Sequence, residues 1–519
     1  MKTKKTIVIR ADASTRIGIG HVMRCLTLAA KLNNAQHQII FLCKQHHGNL
    51  IELIESSGFE VIALSKPTNN IENEHNERLW LGCHYQQDAK ECLKYIQSAK
   101  FKKIDLLIVD HYSLDYQWQD LLNPLCEKIM VIDDLANREH HCDILLDQTF
   151  GRSQQDYHHL IPEQCTLLLG KEYMLLRDEF YQFRILAQTQ RISSQPHISK
   201  NILISLGGAD PDNMASSILY WLILLKTDFH NLKVCLVANA NSNFLSELNS
   251  IAKKHRWIKI ITKPPSMATL MLKADIAIGS SGATAWERCC LGLPSLSIIS
   301  ADNQQLVNKN LANIGACTSL GYFKNLRKQT FIEALTLLFN NQKHYKNMVQ
   351  QSFDCCDGLG AGRVAMQVAK KMSVVELIPA TINDIDVTFK WQSDKNIRQY
   401  FKQPTTPTKA EHWHWFEKNL ADPASFLYII YYDKVPVGTL RFDELCQNEY
   451  MISILVAPSE QGKGIALRAL NKIAQLKENG LFFADIHQDN LNSIRVFKKA
   501  GFVPVSASQY CLKIKAHKK

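Results

Sequence analysis

The sequence predicts an α/β protein made of two Rossmann-like, doubly wound domains with parallel sheets, followed by a separate α+β domain. Three observations carry that prediction. Short continuous apolar runs alternate with polar helical patterns from the start, as strands buried on both faces of a parallel sheet require. The alternation lapses over Gln188 to Lys200, "QTQRISSQPHISK", and then resumes. After "DGLGAGRVAMQVAKKM" it gives way to mixed strands and a glycine-punctuated helix. A chain of 519 residues is too long for one ordinary core.

In chain order, the first domain (1–190) runs through "TIVIRAD", the helical "HVMRCLTLAAKL", and the strands "HQIIFLC", "FEVIAL", "IDLLIVDHY", "KIMVIDD" and "CDILLDQ". The second (191–372) repeats the pattern with "NILISLGG", "LKVCLVAN", "IKIIT", "ADIAIGSSG" and "PSLSIIS". Two such domains leave a cleft between them, the usual place for a ligand. The third (373–519) opens on "VVELIPAT" and an aromatic-rich helical segment. It continues with a hairpin, "FLYIIYYDKVPVGTLRFD", turning near Asp433-Lys434, then "EYMISILVAP" and a final helix and strand.

Lys and Arg outnumber Asp and Glu by 60 to 49, a formal charge of +11 that suits an anionic small molecule as well as any polymer. The nearest thing to a basic block is "KIKAHKK", which reads as a solvated tail, so no nucleic-acid partner is expected. No apolar run is long enough for a signal-peptide core or a membrane span. The 15 cysteines lack C-x-x-C or framework spacing and read as reduced, mostly buried thiols of a cytoplasmic protein.

The stretch "RADASTRIGIGHVMRC" carries the first candidate site. As a dinucleotide fingerprint it fails, because the third glycine position falls on Met23, the loop is too long, and Lys44 stands where an acidic ribose ligand belongs. What remains is a glycine loop, ending at Gly20, that delivers His21 to a helix start at the carboxyl end of the first strand, with Arg24 on the same helix face. A helix N-terminus favours the neutral imidazole that a general base needs; the alternative is a helix cap. Asp12 is the candidate to orient His21. Asp110-His111 lies at another strand end facing the cleft, and a cap is the favoured reading of Asp110. In the second domain "GSSGATAWE", Gly279 to Glu287, follows a strand and opens a helix. Backbone amides around Ser281, Gly282, Ala283 and Thr284 can therefore receive a diphosphate. Gly207-Gly208 permit close approach of backbone to ligand, Asp210 is a cap or a ligand contact, and Asn303 and Gln304 open a helix from which they can reach a ligand. The adjacent pairs His46-His47, His140-His141 and His158-His159 lack partner motifs, so no metal site is expected.

These motifs, with "VIDDLANREHHCDILLDQT" and "ISLGGADPDN", resemble the UDP-2,4-diacetamido-2,4,6-trideoxy-β-L-altropyranose hydrolases of the pseudaminic acid pathway over residues 5 to 370. The resemblance implies a GT-B architecture, with His21 as the base that activates water and the glycines as its flexible mount. It also implies a UDP-sugar held by Asp12, Gly20, Arg24, Gly207, Gly208, the Ser281–Thr284 loop, Asn303 and Gln304. Glu287 resembles the GT-B glutamate that binds ribose hydroxyls; a solvated helix carboxylate is the other reading.

In the third block, "APSEQGKGIALRALNKI" and "DNLNSIRVFKKAGF" together resemble the GNAT acetyltransferases over residues 374 to 515. The resemblance implies acetyl-CoA, with amides of Gln461, Gly462, Gly464 and Ala466 on its pyrophosphate and Asn490 against it. A backbone N–H near Leu455 or Val456 would stabilise the oxyanion. Phe497 stands where many members carry the tyrosine that protonates the thiolate, leaving His487, Tyr450, Tyr510 or water for that proton. The expected whole is a bifunctional enzyme that N-acetylates a UDP-4-amino sugar and then hydrolyses the product to free sugar and UDP. The rival is a GT-B glycosyltransferase whose third domain is an acetyl-CoA-binding regulator.

Overall fold

The computed structural model describes residues 4–33, 37–69, 76–98, 103–193, 200–207, 210, 212–240, 242–401, 403–477 and 479–514. They form two compact units, Lys4–Met372 and Ser373–Ile514.

The first unit holds two parallel sheets. One comprises β1 (Thr6–Ala11), β2 (Gln38–Lys44), β3 (Glu60–Leu64), β4 (Leu106–Asp110), β5 (Ile129–Ile132), β6 (Ile144–Asp147) and β7 (Thr166–Leu169), in the order β3-β2-β1-β4-β5-β6-β7. The other comprises β8 (Lys200–Ser205), β9 (Leu232–Val237), β10 (Ile258–Ile261), β11 (Ile276–Ser280), β12 (Ser295–Ile299) and β13 (Thr318–Tyr322), in the order β10-β9-β8-β11-β12-β13. The continuous apolar runs have the expected cause: Ile7, Ile9 and Ile108 point into one core, and Val8, Leu107 and Val109 into another on the opposite face. The edge strands β7 and β13 are only partly buried, so their apolar signal is weaker.

The helical layers do not divide where the sheets do. Phe180 and Ala187 of the Asp178–Ser193 helix join the core of the second sheet. Buried Arg191 fastens that helix by donating to the carbonyls of Leu291, Ala274 and Met271 at 2.9, 3.0 and 2.7 Å. Conversely, Ala361, Val364, Val368 and Met372 of the Gly360–Met372 helix pack back into the first sheet's core, against the Gly20–Asn33 helix. A Cβ at Gly360 would come within 2.4 Å of the Met174 carbonyl oxygen, so only glycine allows that return. Each helix follows its apolar stripe rather than its place in the chain.

The second unit is a mixed sheet of β14 (Val375–Pro379), β15 (Ser425–Tyr432), β16 (Val435–Cys446), β17 (Glu449–Val456), β18 (Gly480–Asp485), β19 (Val503–Pro504) and β20 (Gln509–Ile514), in the order β14-β15-β16-β17-β18-β20-β19. Asp433 and Lys434, at φ 50° and 65°, make the two-residue turn of the β15–β16 hairpin. The parallel pair β17 and β18 is in register only from Glu449–Met451 to Leu481–Phe483. Past Met451 the two strands part, and Ile452–Val456 have no partner in β18 among the described residues. All 15 cysteines are free thiols. Among the described residues no helix is long and apolar enough to cross a membrane.

Candidate functional site

In the first sheet the strand order reverses between β1 and β4, which lie side by side with Ala11 next to Asp110. Their carboxyl ends are therefore the place where an open α/β sheet receives a ligand. The Gly20–Asn33 helix begins there, and His21 Nδ1 lies 2.5 Å from Asp110 Oδ1. Arg24, one turn on, donates to the same carboxylate from Nε at 2.6 Å and from Nη2 at 2.7 Å, and reaches Asp134 from Nη1 at 3.1 Å. Burial opposes the Asp110 charge, but Arg24 and His21 outweigh it and hold this carboxyl well below its usual range. An ionised carboxylate only accepts, so the imidazole turns Nδ1–H towards it and keeps Nε2 as its basic nitrogen. The Tyr112 ring packs edge-on against His21 at 4.6 Å, and Asn303 Nδ2 lies 3.4 Å from the Tyr112 hydroxyl, linking the two halves of the unit.

Three expectations about this site are corrected. Asp12 neither orients His21 nor faces a substrate: it is fully buried, accepts from Arg10 at 2.6 and 2.8 Å, and takes the Lys44 backbone N–H at 2.7 Å. Asp110, read as a cap, is the residue that holds His21. The loop is also not a flexible mount. Ser14 Oγ accepts from the N–H groups of Arg16 and Ile17 at 3.1 and 2.8 Å, Gly18 N–H donates to Ser14 O at 2.9 Å, and Thr15 N–H donates to His47 O at 3.0 Å. Gly18, at φ 81°, supplies the left-handed turn in a pinned loop, while a Cβ at Gly20 would meet nothing within 4 Å.

The second sheet reverses between β8 and β11, bringing the loops after them together. A Cβ on Gly207 would lie 3.7 Å from Ser280 Oγ; Gly208 falls outside the described residues. Asp210 caps the following helix, accepting from Met214 and Ala215 N–H at 2.8 and 2.9 Å. Gly282 precedes the Ala283–Cys290 helix and faces the Gln304 side chain, 3.8 Å from where its Cβ would stand. The Ser281 side chain turns inward to Ser297 Oγ at 2.6 Å and Asn308 Nδ2 at 2.8 Å, so only its backbone is left for a ligand. Thr284 Oγ1 likewise accepts from Arg288 at 3.3 Å. Glu287 is 9 % exposed, not solvated; Arg177 donates to Oε1 at 3.2 Å, and Oε2 has no hydrogen-bond partner among the described residues. Burial, which outweighs Arg177, pushes this carboxyl up to about 7.

In the second unit, Gly462 and Gly464 take φ 80° and 72° in the loop that enters the Ile465–Leu470 helix, and the space at the Gly462 Cβ position is open. Gln461 Nε2 donates to Val456 O at 3.2 Å, while Ala466 packs on the core. Leu455 and Val456 are buried on the part of β17 that has left β18. Asn490 caps the Leu491–Lys499 helix through Ser493 N–H at 3.0 Å. Phe497 is buried edge-on against Phe502 at 4.9 Å. Of the alternatives for its missing hydroxyl, Tyr450 is buried on Phe482 and Tyr510 is buried on β20. His487 lies near the Tyr400 ring, with a half-exposed side chain 3.7 Å from Asp489.

A glycosyltransferase family 28 C-terminal domain model matches residues 217–361, and an acetyltransferase (GNAT) domain model matches residues 375–503. MurG of Acinetobacter baumannii superposes on 71% of the chain, over all of its own length, with a TM-score of 0.50 at 14% identity, a likeness of fold. The chain joins a GT-B-like pair of Rossmann folds to a GNAT-like domain. Its relatives include an uncharacterized protein of Methanocaldococcus jannaschii, 25% identical over 96% of both chains. The UDP-2,4-diacetamido-2,4,6-trideoxy-beta-L-altropyranose hydrolase of Campylobacter jejuni is 26% identical over 60% of this chain and 97% of its own. The spore coat polysaccharide biosynthesis protein SpsG of Bacillus subtilis is 22% identical over 52% of this chain and 77% of its own.

In the GT-B-like unit the structure brings His21, Arg24 and Asn303 to one cluster and Gly207, Gly282 and Gln304 to another. The residues that sequence reasoning missed are Tyr112, Asp134 and the orienting role of Asp110. All three sit just past an apolar run, "IDLLIVDHY" or "KIMVIDD", and that position was the signal available.

Proposed function

We propose that the chain is a bifunctional enzyme of sugar-nucleotide biosynthesis. In this reading the GNAT-like unit N-acetylates a UDP-4-amino sugar. The GT-B-like unit then hydrolyses the product, UDP-2,4-diacetamido-2,4,6-trideoxy-β-L-altropyranose, to free sugar and UDP. The observation that carries the reading is the His21–Asp110–Arg24 assembly at the strand reversal, in a unit related to the Campylobacter hydrolase over nearly all of that enzyme's length.

Asp110 fixes Nδ1–H, and His21 Nε2 takes a proton from water as its oxygen attacks the anomeric carbon. The bond from that carbon to the UDP oxygen breaks, and UDP departs with the electron pair. One positioned base supplies about 10²- to 10⁴-fold. The amides at the start of the Ala283–Cys290 helix and the helix dipole stabilise the leaving diphosphate, so no strong acid has to protonate it. The bare Oε2 of Glu287 is an acceptor for ribose hydroxyls. In the GNAT-like unit the gap between β17 and β18 and the open glycine loop fit acetyl-CoA, which supplies the acetyl group as a thioester. The loop amides from Gln461 to Ala466 would hold its pyrophosphate, and backbone N–H near Leu455 and Val456 would hold the carbonyl oxygen. Buried Phe497 takes no part in proton transfer, which leaves half-exposed His487 or water. The test is His21→Asn: UDP release should fall by two or more decades while acetylation continues, and near-normal hydrolysis would sink the assignment.

A further inference from the structure

Cys142 stands just before β6 and Cys165 just before β7. Because these strands pair in parallel, with Ile144 beside Thr166, the two thiols meet at the amino-terminal edge of the sheet, opposite the His21 end. Their sulfurs are 3.6 Å apart. Cys142 is buried, whereas Cys165 is partly exposed. Lys371, in the last turn of the Gly360–Met372 helix, donates to Thr166 Oγ1 at 3.3 Å and places its ammonium near the Cys165 sulfur.

The hydrogen bond shared with Cys142 holds Cys165 below the ordinary thiol range, Lys371 adds to this against the opposing effect of burial, and the same bond, with burial, pushes Cys142 up. The reachable sulfur is therefore the one beside the Lys371 ammonium, and the sulfur behind it is the more deeply buried. That division suits an attacking and a resolving thiol. The chain's other facing thiols differ: Cys289 with Cys355 and Cys290 with Cys356 also hydrogen-bond, but all four are buried, at 4 % exposure or less.

We propose that Cys142 and Cys165 form a thiol–disulfide exchange site that takes low-molecular-weight disulfides. The Cys165 thiolate attacks one sulfur of the reagent disulfide, forming a mixed disulfide and expelling a reagent thiolate. Cys142 passes its proton to solvent or to that thiolate, attacks Cys165 Sγ, and expels the second reagent thiol. The balance is two protein thiols and one reagent disulfide giving one protein disulfide and two reagent thiols. Closing the bond to about 2.05 Å ties β6 to the edge strand β7. The inference is independent of the function proposed above.

The test treats the full-length protein with oxidised glutathione, quenches by alkylation and maps the peptides by mass. The wild type should yield a Cys142–Cys165 disulfide, with Cys289, Cys290, Cys355 and Cys356 still reduced. Cys142→Ser should accumulate glutathione on Cys165, and Cys165→Ser should leave Cys142 unmodified. A second reading needs no variant: iodoacetamide at neutral pH should alkylate Cys165 roughly tenfold faster than Cys83 and Cys235, partly exposed thiols that burial pushes up. A wild type that forms no Cys142–Cys165 bond while exposed Cys446 takes glutathione, or a Cys165 alkylated no faster than Cys83, overturns the proposal.

Discussion

Replacing Asp110 with asparagine keeps the shape of the side chain and removes its charge. The carboxylate receives His21 Nδ1 at 2.5 Å, Arg24 at 2.6 and 2.7 Å, and the Cys25 thiol at 3.5 Å. An asparagine has one acceptor oxygen for these donors, and its NH₂ needs an acceptor of its own. If Arg24 keeps the oxygen, the NH₂ faces His21, and the imidazole meets it by moving its proton to Nε2. The nitrogen that should accept from water then becomes a donor. Losing one charge-assisted hydrogen bond of about 2–3 kcal/mol lowers kcat for UDP release by about 30- to 150-fold. Asp110 is a positioning residue, so KM should stay within about threefold and acetyl transfer by the same preparation should be unchanged. Removing one partner of a buried pair also destabilises the unit by about 3–5 kcal/mol, so the assay belongs well below the melting transition, with a thermal scan alongside. A variant that folds and releases UDP at the wild-type rate would refute the reasoning that Asp110 sets the His21 tautomer.

Glu287 gives a pH signature. With its carboxyl raised from 4.5 to about 7, the folded protein retains a proton that the unfolded chain releases between those values. Its stabilising contribution is full below pH 4.5 and is lost as pH rises through 7, so Glu287→Gln should gain relative stability at pH 8 over pH 5, on the order of 3 kcal/mol, read from paired melts; equal differences at both pH values would contradict the burial argument. Gly462→Val puts a branched side chain at φ 80°, in the open space of the glycine loop. Calorimetric titration should show acetyl-CoA binding weakened roughly tenfold or more, with UDP release by the first unit untouched; unchanged binding would remove this loop from the cofactor site.

The strands and the His21 helix were legible because buried parallel strands leave continuous apolar runs and a glycine loop marks a turn from strand to helix. The partner of His21 was not, because Asp12 and Asp110 both follow such runs and only the sheet order decides between them. Asp12 is near His21 in sequence, yet Arg10, two residues earlier at the end of β1, claims it. Asp110 is remote in sequence and adjacent in space because β4 crosses over to lie beside β1. The return of the Gly360–Met372 helix to the first core was hidden for the same reason: its stripe of Ala361, Val364 and Val368 announces a buried face but not which sheet buries it. Phe497 was visible as a departure from the tyrosine pattern, and its contact with Phe502 shows that the position now serves packing.

The central claim is that acetylation and hydrolysis of one nucleotide sugar reside in this chain. Incubating the pure protein with acetyl-CoA and the UDP-4-amino sugar in ¹⁸O-water, then resolving the products by mass spectrometry, tests it most directly. The account predicts free CoA, unlabelled UDP, and a free N-acetylated sugar carrying one ¹⁸O at the anomeric position. A nucleotide sugar that stays intact, or a label found in UDP instead of the sugar, would contradict it.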